Sequence, residues 1–254
     1  MPQTKELEGR VAVITGASRG LGRAMAIALA EAGAKVVLAA RDREKLQESA
    51  ALVKQAGGEA SVHPMDVTRE DEVAELAADV KQRYGHADIL INNAGMNLRK
   101  PITDFTLDEW NRVIDTNLTS VFLMCRAFVP LMKGRGYGRI INMTSIMSHI
   151  SLPERTAYSS AKAGLLGFIR ALALELAPEK ISVIGISPGV FDTEMNQAAK
   201  NDPAKYAAFT ARIAAGEWGK PEDVGALARY LCSDAAAYIT GQDIVIDGGC
   251  IVQF

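Results

Sequence analysis

Short runs of consecutive apolar residues alternate along this chain with longer stretches in which apolar positions recur every three or four residues. Val11–Thr15 is a β-branched run, and Gly20–Ala32 carries small and apolar residues on one helical face. Lys35–Ala40 (KVVLAA) is the next run, followed by a charged helical stretch from Arg43 to Gln55. Ala60–His63 is a short strand, and Arg69–Tyr84 places Val73, Leu76, Ala77 and Val80 at i, i+3, i+4 and i+7. The alternation continues through Asp88–Asn92, a long helical stretch Leu107–Lys133, Arg139–Thr144, the helix Glu154–Ala177, Ile181–Ser187, the helix Glu222–Ser233 and a last strand Asp243–Asp247. Continuously apolar strands separated by helices predict a parallel sheet covered on both faces. The expected architecture is α/β: a single doubly wound domain over residues 1–254, with a seven-stranded parallel sheet and helices on both faces.

One stretch breaks the rhythm. Residues 189–220 are polar and Ala-rich, contain Trp218, and carry no clear βα pattern. An irregular excursion after a strand end is where a substrate lid would sit; the alternative is a surface insertion with one packed helix.

Composition narrows the function class. The net charge is -2 and charged residues make up 23% of the chain, so bulk electrostatics point to neither nucleic acid nor a membrane surface. Cys125, Cys232 and Cys250 are widely separated, with no CxxC, which fits a reduced, cytoplasmic protein. His63, His86 and His149 are also scattered, and no metal site is expected.

Two local patterns carry chemistry. Thr15-Gly16-Ala17-Ser18-Arg19-Gly20-Leu21-Gly22 follows the first strand and opens the first helix. Glycines there let the backbone approach a pyrophosphate, and the helix N-terminus offers free N–H donors. The spacing is G-x-x-x-G-x-G, not the G-x-G-x-x-G of other dinucleotide folds. The second strand ends Ala39-Ala40-Arg41 without an acid, so Arg41, with Arg19 from the glycine turn, suits a 2′-phosphate and favours NADP(H) over NAD(H). Asp42 argues the other way unless it caps the following helix.

The second pattern is Tyr158 and Lys162, four residues apart and on one helical face. A free tyrosine has a pKa of about 10. A fixed positive charge beside the phenol is expected to lower it and produce an acid/base catalyst for a carbonyl/alcohol interconversion. Tyr-x-x-x-Lys alone is common on surface helices.

Taken in order, these segments resemble the short-chain dehydrogenase/reductase family over nearly the whole chain. The resemblance is carried by the Thr15–Gly22 turn, Asp66-Val67, Asn92-Asn93-Ala94-Gly95, Asn117, Ser145 thirteen residues before Tyr158, Pro188-Gly189 with Thr193, Gly219-Lys220-Pro221, Thr240-Gly241-Gln242 and Asp247-Gly248-Gly249. It implies a Rossmann fold and a reaction in which Tyr158 is general acid in reduction and base in oxidation. Lys162 would lower the Tyr158 pKa and hold the nicotinamide ribose, Ser145 would stabilise the developing alkoxide, and Asn117 would position a water that passes protons from Lys162 to solvent.

For the cofactor the resemblance implies Gly16, Ser18, Arg19, Gly20, Leu21, Gly22 and Arg41 at the phosphates. Asp66, Val67, Asn93, Ala94 and Gly95 would hold the adenosine. Tyr158, Lys162, Pro188, Gly189 and Thr193 would hold the nicotinamide end. Ile184 stands where an Asn is common in the family. A homotetramer is implied through the helices that carry Val121, Phe122, Met124, Phe128, Leu165, Phe168 and Leu172, although the same residues also suit an ordinary core.

Within the family, Asn93–Pro101 and Leu152–Tyr158 look more like gluconate 5-dehydrogenases and related sugar-acid enzymes. Arg99, Lys100 and Arg155 would then bind a substrate carboxylate and His149 would line the pocket; otherwise they are ordinary surface residues. The expected activity is a small-molecule ketone/secondary-alcohol interconversion, with 5-ketogluconate as a candidate substrate. A 3-oxoacyl-thioester reductase or a broad-range carbonyl reductase shares the core motifs. A dinucleotide-binding regulator without chemistry is the reading from another class, and an epimerase or dehydratase on the same fold is a further one.

Overall fold

A computed structural model describes residues 5–253, without the side chain of Met195. Seven parallel strands form one sheet in the order β3-β2-β1-β4-β5-β6-β7. They are β1 (Val11–Thr15), β2 (Lys35–Ala40), β3 (Glu59–Pro64), β4 (Ile89–Asn92), β5 (Gly138–Met143), β6 (Ile181–Pro188) and β7 (Asp243–Ile246). The order reverses between β1 and β4, and the crevice at the strand C-termini opens at that point. The central strands β1, β4, β5 and β6 are buried throughout, as continuous apolar runs require, whereas the edge strands β3 and β7 are half-exposed.

One face of the sheet is covered by α1 (Gly20–Glu31), α2 (Arg43–Gln55) and, packed on α1, the later helix α9 (Pro221–Cys232). Met25, Leu29, Leu46, Val53, Val224 and Leu231 fill that layer. The other face is covered by α3 (Glu70–Tyr84), α5 (Ser120–Met132) and α6 (Thr156–Leu176) through Leu76, Val80, Met124, Phe128, Leu165 and Ile169. Local signals set the helix ends. Asp42 accepts from the Lys45 N–H at 3.1 Å and so caps α2, while Gly85 closes α3 in the left-handed region at φ 79°. Ile184 packs in the sheet core without exposure, consistent with a packing replacement.

The stretch expected as one helix, Leu107–Lys133, is two. Helix α4 (Leu107–Ile114), started by a Thr106/Glu109 capping box, passes into a π-helical turn at Asp115–Thr119 before α5 begins. The Asn117 side chain donates to the Val113 carbonyl at 2.9 Å and to the Met96 carbonyl at 2.8 Å, tying the widened turn to the loop after β4. Residues 189–220 hold two short helices, α7 (Gln197–Lys200) and α8 (Pro203–Thr210). The stem of this excursion is pinned where Phe191 bridges Gly219, and Trp218 packs on Tyr206 while donating to Thr210 Oγ1 at 3.0 Å. Val121, Met124, Phe128 and Leu165 are core; Phe122 on α5 is 45% exposed. Among the described residues, no helix is long and apolar enough to cross a membrane.

Candidate active site

A cleft of about 1160 Å³ runs along the C-terminal edge of the sheet, larger than the roughly 300–1,000 Å³ of a drug-sized pocket. It is bounded by the glycine turn, the ends of β2–β6, Asn117, Ser145, Tyr158, Lys162 and the start of the 189–220 excursion. The topology therefore brings together the residues singled out for catalysis and for the cofactor. Arg99, His149 and Arg155 are not on this wall.

The phosphate turn is built around Thr15. Its Oγ1 accepts from the Asn93 and Ala94 N–H groups, both at 3.0 Å. Asn93 Nδ2 donates back to the Thr15 and Gly16 carbonyls at 3.0 and 3.1 Å, so its amide braces the turn. Gly16 and Gly20 adopt positive φ. A Cβ at Gly22 would lie 2.4 Å from the Gly16 carbonyl oxygen, so this helix start approaches the turn as only glycine permits. Ser18 is nearly buried, and Arg23 donates to its carbonyl at 2.6 Å. Leu21, Ala94, Pro188 and Gly189 complete the cleft wall there, and Thr193 lies over Gly20. On the adenosine side, Asp66 Oδ1 is occupied by Thr68, through its N–H at 2.9 Å and hydroxyl at 2.8 Å. Asp66 Oδ2 lies 4.0 Å from Arg41, and Val67 is buried beside it. These features fit a phosphorylated dinucleotide: a glycine cradle, cations at the β2 end and an acid at the β3 end.

At the catalytic end, Ser145, two residues past β5, accepts from the Met147 N–H at 3.1 Å and hydrogen-bonds the Tyr158 phenol. Tyr158 and Lys162 lie one turn apart on α6, with the Lys162 ammonium 5.8 Å from the Tyr158 ring centre. Burial lowers the Lys162 pKa to about 8, and its Nζ donates to the Met143 carbonyl at 2.6 Å. The expected depression of the Tyr158 pKa does not occur. Burial pushes the phenol above its ordinary value, and the opposing hydrogen bond to Ser145 and the charge of Arg155 are smaller. Lys162 does not offset this, because burial brings its own pKa to about 8, so it is already neutral at the pH where the phenol would ionise. The Asn117 amide is likewise committed to main-chain groups, and Met96 N–H donates to Asn117 Oδ1 at 3.3 Å. A Cβ at Gly95 would lie 2.8 Å from Asn117 Oδ1 and 3.8 Å from Lys162 Nζ, so Gly95 leaves the passage between them open.

The three candidate substrate residues separate. Arg155, at the start of α6, is 9% exposed; its pKa is lowered by burial first and then by the neighbouring charge of Arg99. Among the described residues neither arginine forms an ion pair, whereas Lys100 is bonded to Glu109 at 2.8 Å. His149 is turned the other way: its Nε2 lies 2.7 Å from Asp243 Oδ2 and 3.3 Å from Ser187 Oγ. It therefore belongs to a polar network behind Ser145, which also contains Thr144. Sequence reasoning missed this network, and it missed Lys45 and Glu194 in the cleft.

Known proteins similar to this chain share a family and carry several activities. Residues 16–250 match the family model described as enoyl-(acyl carrier protein) reductase. A 3-oxoacyl-[acyl-carrier-protein] reductase of Synechocystis sp. is 39% identical over 248 residues, 97% of this chain and 98% of that protein. A protein from Agrobacterium tumefaciens described as a candidate gluconate dehydrogenase superposes with a TM-score of 0.95 at 39% identity, covering 99% of both chains. A second from the same organism, a candidate 2-deoxy-D-gluconate 3-dehydrogenase with bound NADP, superposes with a TM-score of 0.90 at 35% identity over 99% of this chain and 100% of that one. The chain belongs to the short-chain dehydrogenase/reductase family and is an oxidoreductase acting on alcohol and ketone groups.

Proposed function

We propose that the chain is an NADP(H)-dependent enzyme that interconverts a ketone and a secondary alcohol on a substrate bearing a carboxylate, with a keto sugar acid such as 5-ketogluconate as the leading candidate. The observation that carries the substrate class is Arg155. It is a nearly buried guanidinium whose charge acts on Tyr158, with Arg99 beside it and no acidic ion-pair partner among the described residues. A nearly buried cation with no ion pair, balanced only by the more distant charge of Glu154, is costly, and a substrate that extends past Tyr158 beyond the cleft wall would bring a carboxylate to it. Arg19, Arg41 and the capping role of Asp42 support the 2′-phosphorylated cofactor.

When bound, the cofactor supplies or accepts a hydride. The chain's own residues handle the proton and the charge. With its pKa raised, Tyr158 keeps its proton at neutral pH and suits the acid of the reductive direction. Ser145, bonded to the Tyr158 phenol, would donate its hydroxyl proton to the substrate oxygen that gains charge. Lys162 would hold the nicotinamide ribose, and Asn117 holds the loop after β4 through Met96. Residues 189–220 act as the lid over the substrate end. The exposed Phe122 on α5 supports a homotetramer in which helices of neighbouring subunits pair.

A second reading, a 3-oxoacyl-thioester reductase, uses the same catalytic groups and is supported by the similarity to the Synechocystis protein. Steady-state turnover with NADPH and NADH against 5-ketogluconate, an acetoacetyl thioester and a bulky aryl ketone separates the two. NADPH preference with 5-ketogluconate fastest supports the carboxylate reading. Fast thioester reduction with an inert sugar acid would replace it.

A further inference from the structure

Three elements remote in sequence meet at one carboxylate oxygen on the cleft wall. Glu194 Oε2 accepts from Arg19 Nη1 at 3.1 Å and from Lys45 Nζ at 3.4 Å. Arg19 comes from the turn before α1, Lys45 from the first turn of α2 and Glu194 from the start of the 189–220 excursion. One oxygen held by a guanidinium and an ammonium is the arrangement that recognises a phosphate oxyanion. Arg41 is placed differently, 81% exposed with Asp66 at 4.0 Å. Asp42 does not compete for Lys45 Nζ, because its carboxylate is spent on the α2 N-terminus. The Glu194 carboxyl is held below its usual range, first by Arg19 and then by Lys45, so it carries a full negative charge at neutral pH.

We propose that Arg19 and Lys45 form the seat of the cofactor's 2′-phosphate and that Glu194 competes for that seat as an internal anion. This rests on the NADP(H) reading and adds a clamp residue, Lys45, and a competitor, Glu194. A 2′-phosphate that takes the seat displaces Glu194 and with it the segment that begins at Thr193, which lies over Gly20 of the phosphate turn. A cofactor with a free 2′-hydroxyl has no charge with which to displace it. Recognition of the 2′-phosphate is thereby coupled to the position of the lid stem. Both ion pairs are half-exposed, so the competition is modest and salt-sensitive.

The test is calorimetric binding of 2′,5′-ADP and of 5′-AMP to the full chain, to Glu194→Gln, to Lys45→Met and to the double variant. Glu194→Gln should tighten 2′,5′-ADP about three- to tenfold, inside the roughly two- to thirtyfold that two exposed ion pairs span, and leave 5′-AMP unchanged. Lys45→Met should weaken 2′,5′-ADP about fivefold or more, and in that background the gain from Glu194→Gln should shrink. An unchanged affinity in Glu194→Gln, or a gain that survives in full without Lys45, would overturn the proposal. A wild-type chain that binds both probes equally would instead overturn the NADP(H) reading beneath it. All positions are on the surface, and a melting temperature within a degree or two of the wild type marks each variant as folded.

Discussion

His149 Nε2 lies 2.7 Å from Asp243 Oδ2, and that contact joins the turn after Ser145 to the edge strand β7. Asp243 also accepts from Ser187 Oγ at 2.7 Å and Thr144 Oγ1 at 2.5 Å, and Ser187 Oγ lies 3.0 Å from the Ser145 carbonyl oxygen. Gly185 makes room for the hub, since a Cβ there would lie 2.1 Å from Asp243 Oδ1. Residues on both sides of Ser145 are therefore anchored to one carboxylate. Asp243→Asn puts an amide donor where only hydroxyl and imidazole donors point. A stability loss of about 1–3 kcal/mol in urea titration is expected, with kcat reduced and cofactor affinity kept. Unchanged stability and kcat would show that the hub does not position Ser145.

Lys162 makes stability depend on pH. Its folded pKa of about 8 lies below its value in the unfolded chain, so above pH 8 the unfolded state binds more protons. Stability from this group therefore rises as pH increases from about 8 toward 10, and at lower pH the burial cost is felt in full. Cys125 and Cys232, pushed up to about 12 by burial, act in the opposite sense above about pH 9. Subtracting Lys162→Met from wild type isolates the lysine. The difference in unfolding free energy should favour wild type more at pH 9 than at pH 7.5; a flat difference would refute the assignment.

Arg155 and Arg99 predict a charge-selective defect. Arg155→Met should raise KM for a keto acid about tenfold or more, the range for a lost hydrogen bond to a charged group. For an uncharged ketone, KM should change about twofold at most. Equal losses on both substrates would assign Arg155 to holding the start of α6.

Gly22→Ala places a methyl 2.4 Å from the Gly16 carbonyl oxygen and 2.5 Å from Asn93 Nδ2. Both atoms belong to the brace of the phosphate turn, so cofactor affinity should fall by a factor of ten or more, measured by fluorescence titration with NADPH. Retained affinity would mean that the turn can shift without loss.

Much of this fold was legible in the sequence because a buried parallel sheet writes itself as continuous apolar runs: β1, β2 and α2 have the bounds read from the pattern alone. The break at Asp115–Thr119 was not, because it contains neither Pro nor Gly and arises from the bonds of Asn117 to groups on two elements. The cleft residues with a local motif, Tyr158 and Lys162 above all, were equally readable. Glu194 and Asp243 were not, since their partners are 149 and 175, and 56 to 99, residues away. The sequence also suggested a lowered Tyr158 pKa from the nearby charge, but the depth of burial that reverses the sign exists only in the folded chain.

In the proposed mechanism Tyr158 is the proton donor of an NADP(H)-dependent reduction. Steady-state turnover and NADPH affinity of Tyr158→Phe test it directly. We predict kcat reduced by about 10²-fold or more, in line with loss of a general acid, with NADPH affinity within about threefold of wild type. A Tyr158→Phe enzyme that reduces its ketone at the wild-type rate would contradict the account.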